Sequence, residues 1–270
     1  MANNKEARIL IYNDTHNSSV YGLWHPNFID KTGLKRSDMN PVMKTIWGYW
    51  KDDFVPRVKK WKPTHIWLPG DLIDGPNKFH QGKYLVTPDL NDQAENFLMC
   101  ARMLPEAEIE GVAGSDYHNS SFFDAHQYII EELGGNFNVF DFVVEILGHV
   151  FHVSHGRSFP LVQVEQNLAR EVTFNAISSY QKKYPEVEVI IIGHWHIWRE
   201  IRGPFGPKKD WRVIVSPCWQ GQDEYMKMRS PLRMVPDVGA TFLTVTEEKV
   251  IVDRVLYPTP VVVNKPRKLL

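Results

Sequence analysis

The sequence predicts an α/β fold built on a largely parallel central sheet. Short apolar runs of strand length recur along the chain, with Val189-Ile190-Ile191-Ile192 the clearest. Stretches with apolar residues at helical spacing separate them, an alternation that makes parallel sheets. Five of the runs stop at once on aspartate, histidine or a short polar cluster, where folds of this class build their sites.

Ala7 to Tyr12 is the first strand, closed by Asn13-Asp14-Thr15-His16. Taken alone that stretch would read as a capping turn. Residues 17 to 36 are irregular. From Asp38 to Trp61 the apolar positions Met43, Ile46, Trp47, Trp50, Phe54 and Val58 recur at helical spacing, with a break or bend at Pro56, and the tryptophans read as core. His65 to Leu68 is the second strand and runs into Pro69-Gly70-Asp71-Leu72-Ile73-Asp74-Gly75. Residues 76 to 88 read as loop, and Leu90 to Leu104 as a helix capped by Asp89 or Asn91.

The third strand spans about Ala107 to Ala113 and leads to Gly114-Ser115-Asp116-Tyr117-His118-Asn119, then to a helix from about Ser121 to Leu133. Phe140 to Leu147 and Val150 to Ser154 form a hairpin that ends on His155-Gly156. Val162 to Tyr184 is a long helix, and the Val189 strand closes on Gly193-His194-Trp195-His196, whose two imidazoles would share one side if the strand pleat continued. Residues 199 to 210, rich in glycine, proline and lysine, read as an exposed loop. Arg212 to Ser216 is a strand ending in Pro217-Cys218-Trp219-Gln220, residues 221 to 238 are irregular, and Thr241 to Thr246 with Lys249 to Leu256 make a closing hairpin.

With 270 residues, 43% hydrophobic and 23% charged, the chain reads as one soluble domain over residues 1–270. A formal charge of −1 signals no strongly basic surface, and the local clusters Lys59-Lys60-Lys62, Lys182-Lys183, Lys208-Lys209 and Lys265-Arg267-Lys268 read as solvated faces. Cys100 and Cys218 lie too far apart in sequence for a zinc knuckle and suggest no disulfide framework, which fits a reducing cytoplasm. The polar N-terminus leaves no room for a signal peptide, and no apolar run approaches the roughly 20 residues that span a bilayer.

The strand-end residues Asp14, His16, Asp71, Ser115 to His118, His155, His194 and His196 converge along one sheet edge in such a fold. Carboxylates and imidazoles without thiolates suit divalent Mn, Fe, Zn, Co or Ni. They are too many for one tetrahedral ion, so two ions sharing a carboxylate are expected, with Asp71 as the bridge. Two metals about 3.5 to 4 Å apart can hold a hydroxide, bind phosphoryl oxygens and offset charge on a leaving oxygen, which gives phosphoester hydrolysis without a serine or cysteine nucleophile.

The chain resembles the calcineurin-like metallophosphoesterases. Five blocks carry the likeness in order: Asp14-Thr15-His16, Gly70-Asp71-Leu72-Ile73-Asp74, Gly114-Ser115-Asp116-Tyr117-His118, His155-Gly156 and Gly193-His194-Trp195-His196. The resemblance implies a four-layer α/β/β/α sandwich with two mixed β-sheets and two divalent ions, manganese foremost. It implies Asp14, His16, Asp71 and His196 as ligands of one metal, and Asp71, His155 and His194 as ligands of the other, with Asp74 supporting them from behind. Where the family carries Asn-His, this sequence has Ser115 and a histidine displaced to His118, with Asp116 and Asn119 as neighbouring candidates for the open ligand position. That form resembles phage and prophage members, which implies a viral source and the host cytoplasm.

His118 has two candidate roles here: general acid or phosphate-binding imidazole, and metal ligand. Trp219 and Gln220, just past a strand end, are candidates to line a substrate pocket. His25, His65, His80, His126, His149 and His152 read as structural or surface residues. The leading expectation is a metal-dependent phosphodiesterase acting on DNA, RNA or nucleotides, with no membrane partner. The protein-phosphatase branch places arginine before its Gly-Asn-His, whereas Val112-Ala113 precede Gly114 here. The alternatives are a phosphomonoesterase, protein phosphatases included, and a catalytically weak scaffold on the same fold, like the retromer scaffold subunit.

Overall fold

Strands that are apolar on both faces need cover on both sides, and here a second sheet supplies it on one side and helices on the other. The computed structural model describes residues 5–36, 38–77, 81–119, 124–156, 164–205, 209–223, 226 and 235–260. The first sheet holds β1 (Glu6–Ile11), β2 (His65–Leu68), β3 (Glu108–Val112) and β4 (Asn136–Asn138) in parallel, with β10 (Val238–Thr246) and β11 (Val250–Tyr257) antiparallel beyond β1. The second runs β5 (Asp141–Ile146), β6 (His149–Ser154), β7 (Val189–Ile192), β9 (Lys209–Val215), β8 (Arg199–Phe205), parallel through β6, β7 and β9 and antiparallel at both edges.

The pleat sorts each run between two cores. Ile9, Ile11, Trp67 and Val112 of the first sheet pack against Phe151, Val153, Val189, Ile191 and Ile214 of the second. Their alternates Leu10, Tyr12, Ile66 and Leu68 pack under α1 (Pro41–Gly48), α2 (Val55–Trp61), α3 (Leu90–Ala101) and α4 (Ala125–Glu132). Ile190, Ile192, Val213 and Val215 pack under α5 (Val164–Tyr180). The layers are therefore helix, sheet, sheet, helix, the four-layer sandwich with two mixed sheets that the resemblance implies, and the largely parallel strands expected from the alternation are divided between the two sheets. Trp67 sits between the sheets, fully buried, edge-on to Phe142 at 5.7 Å and Phe151 at 5.3 Å. Trp67→Ala is expected to cost about 3–5 kcal/mol in a denaturant titration, the range for emptying a buried aromatic site.

Three other expectations change. Residues 199–205 and 209–215 form a hairpin rather than a loop; Gly203 and Pro204 are tolerated because β8 is an edge strand. Asn136–Asn138 adds a short strand at the other sheet's edge, with no apolar alternation to announce it. The helix does not break at Pro56: Tyr49–Phe54 widens into a π-helical turn between α1 and α2, and the missing N–H falls where the register changes. His80, Lys208, the 265–268 cluster and the starts of the helices expected from Ser121 and Val162 lie outside the described residues. No helix among the described residues is long and apolar enough to cross a membrane.

Candidate metal centre

The parallel strands β1, β2, β3, β6 and β7 end together, and the segments beyond them are zipped to one another. The N–H groups of Asp14, His16 and Asn17 donate to the carbonyls of Gly70, Asp71 and Leu72, and Gly193 N–H donates to Ser154. Past the strands the pleat no longer holds. Asp14, His16, Asp71, His194 and His196 all take left-handed backbone, with φ of 47°, 41°, 48°, 67° and 55°. Such geometry costs about 1–3 kcal/mol per non-glycine residue and persists only where the surroundings impose it. The expectation that His194 and His196 share one side through strand alternation is thus corrected: the left-handed residues send them to different groups.

One group is Asp14, His16 and His196, and another is Asp71, His155 and His194; a third, His16, Asp71 and His118, overlaps both. In each, one potential ligand atom per residue lies within 4.8 Å of the others. His16 Nε2 faces His196 Nε2 at 3.0 Å, and His196 Nε2 lies 3.4 Å from Asp14 Oδ1. His155 Nε2 lies 3.0 Å from both His194 Nδ1 and Asp71 Oδ2. Asp14 Oδ1 is buried and accepts no hydrogen bond. Nitrogen against nitrogen around an unused carboxylate oxygen is the donor set that a divalent cation satisfies, so the residues fit divalent metal.

The outer contacts orient these side chains. His155 Nδ1 donates to Pro69 C=O at 2.7 Å. Asn13 Nδ2 donates to Asp14 Oδ2, which also accepts from His194 N–H at 2.9 Å. Asp74 lies 3.4 Å from His16 Nδ1, and its backbone carbonyl accepts from His118 Nδ1 at 2.7 Å. Ser115 turns to the carboxylate, its N–H 2.8 Å from Asp71 Oδ1 and its Oγ 3.3 and 3.2 Å from the two oxygens. Asp116 is exposed and belongs to none of the three groups, and Asn119 is half-buried at the end of the same turn.

Trp219 and Gln220 do not line an opening. Trp219 is fully buried against Trp50 at 4.8 Å and Phe54 at 4.7 Å, while its N–H supports the Asp14 carbonyl from behind. Gln220 is also buried, donating to Ser19 Oγ. Sequence reading gave Asn13 no role at the centre and placed His126 only among structural or surface residues. His126 lies fully buried on α4, and its Nε2 accepts from Leu72 N–H at 3.2 Å, bracing the turn that carries Asp71. A lone histidine in a helix gives no such signal. Gly114 was legible only as part of a motif: a Cβ there would stand 1.9 Å from Asp71 Oδ1. Gly114→Ala is expected to push that carboxylate aside and weaken metal binding at least about tenfold, the low end for disturbing a ligand's support, as measured by equilibrium dialysis.

Without metal the centre balances its own charge. Burial opposes ionisation of Asp71, but the charges of His155, His118 and His16 hold it well below the usual carboxylate range. Burial likewise opposes Asp14, and His196 brings it down. Burial draws His155 down, yet Asp71, Asp14 and the Pro69 carbonyl outweigh that and leave it raised to about 9. Burial and the charge of His155 push His194 down to about 4. An ion entering the Asp71, His155, His194 group must therefore displace the His155 proton. Below about pH 9 its affinity is expected to rise about tenfold per pH unit, and above that to level off. Calorimetry in two buffers of different ionisation enthalpy at neutral pH should show about one proton released with that ion.

No known family model matches the sequence, and no curated protein sequence matches it. Solved structures do align with most of the chain. An archaeal phosphodiesterase is 15% identical over 93% of this chain and 99% of its own, with a TM-score of 0.45. A Vps29 variant from Entamoeba histolytica is 15% identical over 93% and 99%, with a TM-score of 0.42. YfcE, a phosphoesterase from E. coli, is 12% identical over 92% and 98%, with a TM-score of 0.41. At such identities and scores the likeness carries nothing about substrate or residue roles.

Proposed function

We propose that this chain is a two-metal phosphoester hydrolase of the calcineurin-like type, preferring phosphodiesters of nucleic acid or nucleotides. The observation that carries this is the pair of groups, Asp14 with His16 and His196, and Asp71 with His155 and His194, linked by the third group, which shares His16 with the first and Asp71 with the second. Two divalent ions there, manganese foremost, supply charge for the phosphoryl oxygens and lower the pKa of a water. The chain's own residues do the rest. Asp14, His16 and His196 would hold one ion, and Asp71, His155 and His194 the other.

His118 is the group suited to the leaving oxygen. Its Nδ1 is committed to the Asp74 carbonyl at 2.7 Å, so Nε2 is the nitrogen that faces the centre, 3.9 Å from Asp71 Oδ2. In its protonated form it hands that proton to the alcohol oxygen as the ester P–O bond breaks and water adds to phosphorus.

A diester preference is supported by the charge around the site. Among the described residues, the charges that act most strongly on the six ligands come from histidines and aspartates, Asp223 beside His196 among them, with no lysine or arginine in that set. A monoester dianion gains more than a diester monoanion from side-chain cations. Placement in the phage-type branch and in a cytoplasm rests on the Gly114-Ser115-x-x-His118 form and the free thiols of Cys100 and Cys218.

The test is the initial rate on bis(p-nitrophenyl) phosphate against p-nitrophenyl phosphate with manganese-loaded protein. Faster diester turnover is the expected result. Faster monoester turnover would reverse the preference, and no turnover of either would leave the scaffold reading.

A further inference from the structure

The turn after β3 carries one exposed ring against the centre. His118 N–H donates back to the Ser115 carbonyl at 3.0 Å, which closes a tight turn and leaves Tyr117 at its tip. Tyr117 is 38% exposed. Among the described residues it is the only large exposed hydrophobic in the strand-end stretches that bear the candidate ligands. Its ring stands edge-on to His118, centroids 4.9 Å apart at 78°. Its hydroxyl donates to Asn77 Oδ1 at 3.4 Å, and Asn77 Nδ2 donates to Asp74 Oδ2 at 2.8 Å. The ring is thus held at its backbone by the turn and at its far end by Asn77, which is itself bound to Asp74, the residue that holds His118. A surface fixed in advance in this way loses little entropy when something lies against it.

We infer that Tyr117 is a specificity residue that stacks on a flat aromatic ring in the alcohol part of the ester, a nucleobase foremost. This rests on the phosphoesterase reading. With phosphorus at the metal centre and the leaving oxygen at His118 Nε2, the alcohol lies by His118, whose ring stands against that of Tyr117. A phenol face gains most from another π-face, and every nucleobase offers one, so the selection is for a planar ring rather than for one base.

The experiment is calorimetric titration of manganese-loaded protein with inorganic phosphate, phenyl phosphate and adenosine monophosphate, on wild type, Tyr117→Leu and Tyr117→Phe. Metal content of each variant checks that the centre is intact. In wild type the two ring-bearing ligands are expected to bind about ten- to a hundredfold more tightly than phosphate. In Tyr117→Leu that ratio is expected to fall towards one, and in Tyr117→Phe to survive. Adenosine monophosphate is expected to bind above phenyl phosphate, and the reverse order overturns the nucleobase preference. An unchanged ratio in Tyr117→Leu, or an equal loss in Tyr117→Phe, overturns the stacking role while phosphate binding stands. Failure of phosphate itself to bind overturns the phosphoesterase reading and this inference with it.

Discussion

Asp71→Asn is expected to lower metal-dependent phosphoester hydrolysis by about 10³-fold or more while leaving the fold intact. Asp71 stands in two of the three ligand groups, one with His155 and His194, the other with His16 and His118. Its carboxylate also accepts from Ser115 N–H and Oγ. An asparagine keeps the shape but removes the anion that would draw two ions together in the proposed centre. It also turns an amide donor towards partners that are themselves donors. Losing a charge shared by two ions costs several kcal/mol in the transition state, and each 1.36 kcal/mol is about tenfold in rate. Metal analysis after dialysis should show fewer ions per chain than wild type, with unchanged far-ultraviolet circular dichroism. A rate within about tenfold of wild type would remove Asp71 from its bridging place.

The second large effect is at His118. His118→Ala is expected to cost about 10² to 10⁴ in rate, the range for a positioned general acid. Metal content should stay at the wild-type level. The loss should shrink for esters of acidic phenols, which leave without a proton, and grow for esters of ordinary alcohols. That dependence on the leaving group separates an acid from a ligand. His118 lies within reach of His16 and Asp71 as a third cluster, so loss of an ion in this variant would make it a ligand and end the acid assignment.

The strands were legible because burial on both faces leaves uniform apolar runs such as Val189 to Ile192. The same uniformity hid what covers each face. Nothing in four β-branched residues says that Val189 and Ile191 meet a second sheet while Ile190 and Ile192 meet a helix, so the two mixed sheets followed from the resemblance and not from the alternation. The β8 strand was illegible because Gly203 and Pro204 are breakers anywhere but at an edge.

The centre's residue types were legible from their recurrence at strand ends, but its geometry was not. His194 and His196 part company through left-handed backbone at both residues, a conformation histidine does not advertise. Trp219 was misjudged because position after a strand does not give the direction of a side chain, and the aromatic core beneath α1 and α2 drew it inward. His126 acts through one backbone N–H, and only the fold brings it there.

The most direct test is the initial rate of bis(p-nitrophenyl) phosphate hydrolysis by metal-free protein as manganese is added in counted equivalents per chain. Two ions sharing Asp71 require no turnover without metal, little with the first ion, and a rise that saturates at two. A rise complete at one equivalent would contradict a paired centre, and rates that never depend on manganese would contradict a metal-dependent phosphoesterase altogether.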